Sequence, residues 1–455
     1  MRSAVRWRAT SGWGRNLALG LAMAWSAAMG PLSVGSTAAA AEVVEEKYDS
    51  GQVRVRYEQT DGKKSGDYEE FFENGQPKVV AKYRNDQLDG EFVRYHESGK
   101  VNVRANYRRG KLHGAYLEKD AEGEPKFNLT YTAGKPRGRH FVHRAGQRRW
   151  EFVWKAGEIS TLDDRKTLVH TRKELERGLA KIYRGRIRTK GVSDEQIAAL
   201  RRLNAYRFLC GLPADVVFDE KQNAHCQAGA ELLAKIQRLE HTPAKPEGMD
   251  EARYQSGYLG TSNGNIAATA TLPSSVDLYM HDSDAMNIAH VGHRRWCMNP
   301  AMRTTGFGRD GNFCVMWSMD ERRKPAPAYE MVAFPPPGYL PVDYFSTQHA
   351  WSVALNRRVI KSSESSEAKI YPLDENLVPG PPLAIVHKSY VGTADPGVFI
   401  GPENVLIFKP TGLDLTAGRR YVVEIRGITD KNNEEMELRY VVQFIEPVGA
   451  AGDDK

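Results

Sequence analysis

The chain is 455 residues long, 41% hydrophobic and 27% charged, with a formal net charge of +7. That length exceeds what one hydrophobic core organises, so roughly two to four domains are expected. The apolar content excludes a disordered chain, and the charge is too modest to mark the whole protein as a polycation.

In chain order, Arg2, Arg6, Arg8 and Arg15 precede an apolar stretch over 17–32, and small residues fill 36–41. Residues 1–41 read as a secretory signal peptide. A retained anchor helix fits less well, because Trp25, Ser26, Gly30 and Pro31 interrupt the run before the ~20 residues a span needs. No other segment reads as able to cross a bilayer, so the mature chain is expected to be exported, in the periplasm or outside the cell. There disulfides persist, and Cys210, Cys226, Cys297 and Cys314 are even in number. Pairing Cys210 with Cys226 and Cys297 with Cys314 closes two short loops, although four cysteines leave three connectivities open. With no C-x-x-C pair, a four-cysteine zinc site is not expected.

A repeat follows. Gly66, Gly90, Gly114 and Gly138 stand 24 residues apart (90−66, 114−90, 138−114), and Gly51, Gly75, Gly99 and Gly123 keep the same step. Tyr68, Phe92 and Tyr116 come two residues after the first glycines, and Tyr83, Tyr107 and Tyr131, followed by Trp154, repeat in phase. Between the glycines apolar and polar residues alternate, so each unit reads as a β-hairpin stacked on the next to cover its aromatic face. The pattern over 48–158 resembles MORN-type repeats. That resemblance implies a recognition or spacing surface and carries no catalytic residue. Positive charge gathers at Lys135, Arg137, Arg139, Arg144 and Arg148 and again over 172–190. For an exported protein this suits lipid headgroups or acidic wall polymers rather than nucleic acid.

Residues 159–192 read as a charged connector, helical around 171–183. Ser193 to Gln196 form a capping box that opens a helix, with Ile197, Leu200 and Leu203 at helical spacing. A second helix opens near Asp219, where Ala228, Leu232, Ile236 and Leu239 form an apolar stripe ending before His241. Pro325, Pro327, Pro335, Pro336 and Pro337 mark a linker over 322–345. From 346 to 448 the period is two, with strands near 383–386, 405–409, 421–425 and 438–444, which fits an antiparallel β-sandwich before a tail at 449–455. The fold class is thus multi-domain α+β.

Within 193–321, Asn204-Ala205-Tyr206-Arg207, Glu240-His241-Thr242-Pro243, Gly264-Asn265-Ile266-Ala267 and Gly292-His293-Arg294 occur in a specific order, followed by Asn299-Pro300 and Gly306-Phe307-Gly308. Together they resemble the CAP superfamily of cysteine-rich secretory, antigen-5 and pathogenesis-related proteins, particularly its bacterial members. The resemblance implies an α-β-α sandwich and a cleft with two histidines and two acids that can bind zinc or another divalent metal. His241 and His293 fall on the histidine positions. The pattern breaks at Gly264, where the family has a glutamate, and Asp282, with His281 beside it, stands only near the expected place of the second acid. Imidazole suits zinc, and Asp282 or Glu240 would be the base of a metal-dependent hydrolase.

Competing motifs are weaker. His225, His281 and His290 match no H-E-x-x-H spacing. Gly260 to Gly264 formally match G-x-S-x-G around Ser262, but the residues before it are polar and no βαβ series surrounds them. Neither a P-loop nor a dinucleotide fingerprint occurs. The expected function is an exported binding or scaffold module, with a lipid, a wall polymer or a secreted protein as partner, ahead of the metal-dependent hydrolase.

Overall fold

The computed structural model describes residues 41–144, 147–187, 191–392 and 403–448. Residues 1–40 of the expected signal peptide and the tail at 449–455 lie outside these, as do the side chains of Arg144 and Arg148. Among the described residues no helix is long and apolar enough to cross a membrane.

Twelve strands, from Glu42–Lys47 to Arg165–Lys166, form one sheet in which every strand pairs with its sequence neighbours. The 24-residue step is two strands and two kinds of turn. One is a tight turn with two consecutive positive-φ residues, as at Arg109-Gly110 and Ala133-Gly134, whose twist suits a hairpin. The other is closed by a backbone bond such as Gly75 N–H to Phe72 O at 2.9 Å. The first glycine series sits inside the strands, and its partners explain the aromatic rhythm. Gly66 lies opposite Tyr83, Gly90 opposite Tyr107, Gly114 opposite Tyr131 and Gly138 opposite Trp154. At Gly90 (φ 136°) an added Cβ would stand 3.0 Å from Lys82 Cβ, so a side chain there would crowd the neighbouring strand as well as strain the backbone. Rings then follow one another along one face: Tyr68 lies 5.2 Å from Tyr83 and Tyr116 5.5 Å from Phe127, with His140 buried between Phe127 and Phe152.

The sheet runs past 158. Strands Glu158–Leu162 and Arg165–Lys166 occupy the start of the stretch read as a connector, before helix α1 (Arg172–Arg184), which Thr171 and Glu174 cap reciprocally. Next come α2 (Asp194–Leu209), with the expected capping box of Ser193 and Gln196, and α3 (Glu220–Ile236), capped by Asp219. Leu239 lies beyond the end of α3 and is exposed. Then follow α4 (Glu251–Ser262), α5 (Leu272–His281) and α6 (Gly292–Cys297). Strands Gly264–Ala268, Phe313–Trp317 and Phe307–Asp310 form an antiparallel sheet in that order. Helix α3 packs on it beside α4, while α2 packs against α5.

The expected linker over 322–345 is not a linker. Met331–Phe334 and Gly338–Pro341 are strands of the two C-terminal sheets, and Val332, Phe334 and Leu340 are buried. Proline is tolerated there because it lies beside or at the end of short strands, where few ladder donors are needed. Nor are these sheets wholly antiparallel, since Gly338–Pro341 runs parallel to Glu435–Ile445. One continuous core runs from Leu179 and Leu203 through Met280 to Phe334, Trp351 and Tyr440, so the helical segment and the C-terminal sheets share their apolar interior. Each fully buried side chain of that size contributes about 1.5–3 kcal/mol. A second cluster joins Trp150 and Phe152 of the repeat sheet to Tyr371 and Val422 and fixes its last strands to the C-terminal sheets.

The predicted disulfides are absent. Cys210, Cys226, Cys297 and Cys314 are all free thiols, and all are buried. Each is held in its own surroundings: Cys226 Sγ faces Gly306 O at 3.4 Å, Cys314 Sγ faces Thr269 O at 3.6 Å, and Asn265 Nδ2 faces Cys297 Sγ at 3.5 Å. Proximity along the chain is no guide to pairing when a helix or strand carries each sulfur to a different place. Burial pushes the Cys210 and Cys297 thiols up to about 12, which keeps them protonated.

Candidate functional site

His241 and His293 come together although 52 residues separate them (293−241). Helix α5 ends at Asp282, which adopts the left-handed conformation (φ 42°, ψ 36°) and turns its carboxylate inward. There Asp282 Oδ1 accepts from His293 Nδ1 at 2.8 Å, and Oδ2 accepts the Arg294 N–H at 3.2 Å. Tyr279 lies against the His293 ring at 5.6 Å, and Asn265 Nδ2 donates to His293 O at 3.0 Å. His241 Nδ1 lies 2.9 Å from Thr261 O, a carbonyl that can only accept. The two rings stand 6.4 Å apart and 26° from parallel. Both Nδ1 atoms are therefore donors, which leaves a lone pair on each Nε2.

The rings line a cleft of about 530 Å³ together with Ser262, Asn265, Asn287, His290, Arg295, Trp296 and Met319. Among the described residues no Asp or Glu lines it. Asp282, expected in the cleft, is 2% exposed and lies beneath His293 as its orienting partner. At Gly264 a Cβ would fall 2.5 Å from Gly260 O and 2.8 Å from Met316 O, so no side chain fits there. Glu240 pairs instead with Arg238 at 2.6 Å. His290 also borders the cleft, but it does not join the two facing imidazoles in a ligand set, and those two alone fall short of the three protein ligands of a catalytic zinc and the four of a structural one. Among the described residues no group of three or more His, Cys, Asp or Glu could hold a metal ion. The residues that line this cleft do not fit a resident metal.

The remaining sequence candidates disperse. His290 is exposed at the cleft. His225 Nδ1 meets Ser256 Oγ at 2.9 Å, and His281 packs against His349 with ring centres 4.7 Å apart. Ser262 ends α4 and donates to Tyr258 O at 2.7 Å, so it stands on no strand-to-helix elbow. Asn204 and Arg207 are clamps. Asn204 exchanges bonds with Val216 at 3.0 and 3.1 Å, and Arg207 donates to Pro213 O, Cys297 O and Asn299 O.

Sequence reasoning missed Asn287, Arg295, Trp296 and Met319, which reach the cleft from loops and from α6. It also missed the bracing by Arg294. This buried guanidinium donates to Met280 O, His281 O and Ala350 O, each at 2.7 Å, and to Ser352 Oγ at 3.0 Å. It thereby ties α6, which carries His293, to the C-terminal sheets. The adjacency of Trp296 and Arg295 to Gly292-His293-Arg294 was the only available signal.

Residues 64–85 and 88–109 match the family model of the MORN repeat variant. No curated protein matches the chain. The twelve-stranded sheet thus contains MORN repeats, two of them consecutive at the 24-residue step and both in its first half.

Proposed function

We propose that this is an exported binding or scaffold protein of the cell envelope, in which residues 193–321 form a CAP-like domain whose cleft holds a polar ligand. Helices on both faces of the small central sheet support the CAP-like reading. The observation that carries binding over catalysis is the lining of the cleft. It offers two oriented imidazole lone pairs, amides and an indole, while the two positions expected to be acidic are Gly264, closed by backbone, and Asp282, consumed beneath His293. Such a set recognises hydrogen-bond donors and sugar or peptide faces and supplies no general base with an exposed carboxylate.

The repeat sheet serves as the spacer. Twelve strands at about 4.8 Å separation span roughly 50 Å, and only the last few are docked on the sandwich. Lys135 and Arg137 on it suit acidic wall polymers, whereas Arg139 is neutralised by Glu151.

The test is calorimetric titration of the full mature chain with soluble peptidoglycan fragments and with teichoic-acid-type polymer, alongside His241→Ala/His293→Ala. Saturable binding of fragments that the double variant loses supports the reading. Binding of neither probe, or turnover of the fragments, overturns it.

A further inference from the structure

A second cavity is larger than the histidine cleft. A space of about 650 Å³ opens between α1, α2 and the strand Val217–Phe218, a size within the usual range for small-molecule sites. Its origin is local. Gly178 of α1 lies so close to Phe208 of α2 that a Cβ there would be 2.0 Å from Phe208 Cζ, so the helices touch at that point. Beyond it Lys181, Ile182 and Gly185 border open space.

The walls and the rim differ in chemistry. Ile182, Ile187, Leu200, Phe208 and Phe218 make the walls, and Asn204 on the floor is already satisfied by Val216. Among the described residues the charged members of the lining are Lys181, Arg186 and Arg201, all cationic, and none is Asp or Glu. Lys181 and Arg186 are exposed and make no ion pair among the described residues. Arg201 Nη2 donates to Gly185 O at 2.9 Å, but its Nε is buried without an acceptor. A buried donor left unpaired costs about 1–3 kcal/mol. The nearest acids in sequence are spent elsewhere: Asp215 on Arg303 and Arg323, Asp219 on Arg322.

We propose that this cavity binds a single-chain amphiphile with an anionic head, a long-chain carboxylate, its chain among the apolar walls and its head between Lys181 and Arg186. An apolar pocket with only cations at the rim selects this chemistry over a neutral lipid by the charge of the head and over a free small anion by the burial of the chain. The site is separate from the histidine cleft and does not depend on the function proposed for it.

The experiment uses the full mature chain and follows the fluorescence of cis-parinaric acid, with oleate and methyl oleate as competitors. Expected are saturable one-to-one binding, displacement by oleate, and displacement by methyl oleate weaker by about tenfold. Lys181→Gln/Arg186→Gln, both at exposed positions, should weaken oleate by about three- to tenfold and leave methyl oleate unchanged. Val217→Trp, at a 46% exposed position beside the cavity, should weaken both. The variant His241→Ala/His293→Ala should change neither, which separates this site from the cleft. Absence of saturable binding, equal competition by the two oleyl compounds, or indifference to both cavity variants overturns the proposal. So does co-sedimentation with phosphatidylglycerol vesicles in the absence of parinarate binding, which would assign the cations to a membrane surface.

Discussion

His140 offers the sharpest test of how the repeat sheet is held together. It is fully buried between Phe127 and Phe152, with ring centres 5.5 and 5.9 Å away, and neither ring nitrogen has a hydrogen-bond partner among the described residues. Burial, and then the charge of His143, lower its pKa to about 4. In the unfolded chain the imidazole titrates near its ordinary value of about 6.5. Above that pH it is neutral in both states and contributes no pH dependence. As pH falls below about 6.5 the unfolded state takes up a proton that the folded state refuses, so stability declines until about pH 4, where the folded state also protonates. At about pH 5 the accumulated loss is about 2 kcal/mol. His140→Leu removes the titration and two unsatisfied nitrogens, so it should stabilise by about 1 kcal/mol near pH 7.5 and by about 3 kcal/mol near pH 5. The assay is native-state hydrogen exchange of the amides in Lys135–Arg144 and Gln147–Lys155, compared between wild type and variant at each pH. If the advantage of the variant is the same at both pH values within about 0.5 kcal/mol, the account of His140 as a buried, neutral, unpaired base is refuted.

Three other outcomes follow from the geometry. Arg294→Ala leaves the carbonyls of Met280, His281 and Ala350 without their donor, so thermal unfolding should register a loss of roughly 3 kcal/mol or more, with Arg294→Lys intermediate because it keeps the charge but not the fork. Gly264→Ala should destabilise by at least about 2 kcal/mol, read as a lower denaturation midpoint, since its Cβ meets two carbonyl oxygens; an unchanged midpoint would reopen the position to a carboxylate. A thiol reagent should find no reactive cysteine in the native protein and four in about 6 M guanidinium without reductant, whereas fewer than four would restore a disulfide.

What could be read from the sequence was short-range. The 24-residue period, the positive-φ glycines and the capping box at Ser193 are set by φ/ψ limits, by strand alternation and by hydrogen bonds within a few residues, so they are written in consecutive letters. The order of the motifs also singles out His241 and His293, whose rings face each other in the fold. Chain separation could not reveal what stands opposite what. Only the tertiary structure puts a tyrosine or tryptophan across from Gly66, Gly90, Gly114 and Gly138, sends four cysteines into separate surroundings, and turns a proline-rich stretch into strands of the C-terminal sheets. It likewise closes Gly264 with backbone from two other segments, sinks Asp282 beneath the histidine it orients, and reaches Arg294 across to Ala350. Each of these is decided by which distant surfaces share the excluded volume of one core, a quantity that no local pattern encodes.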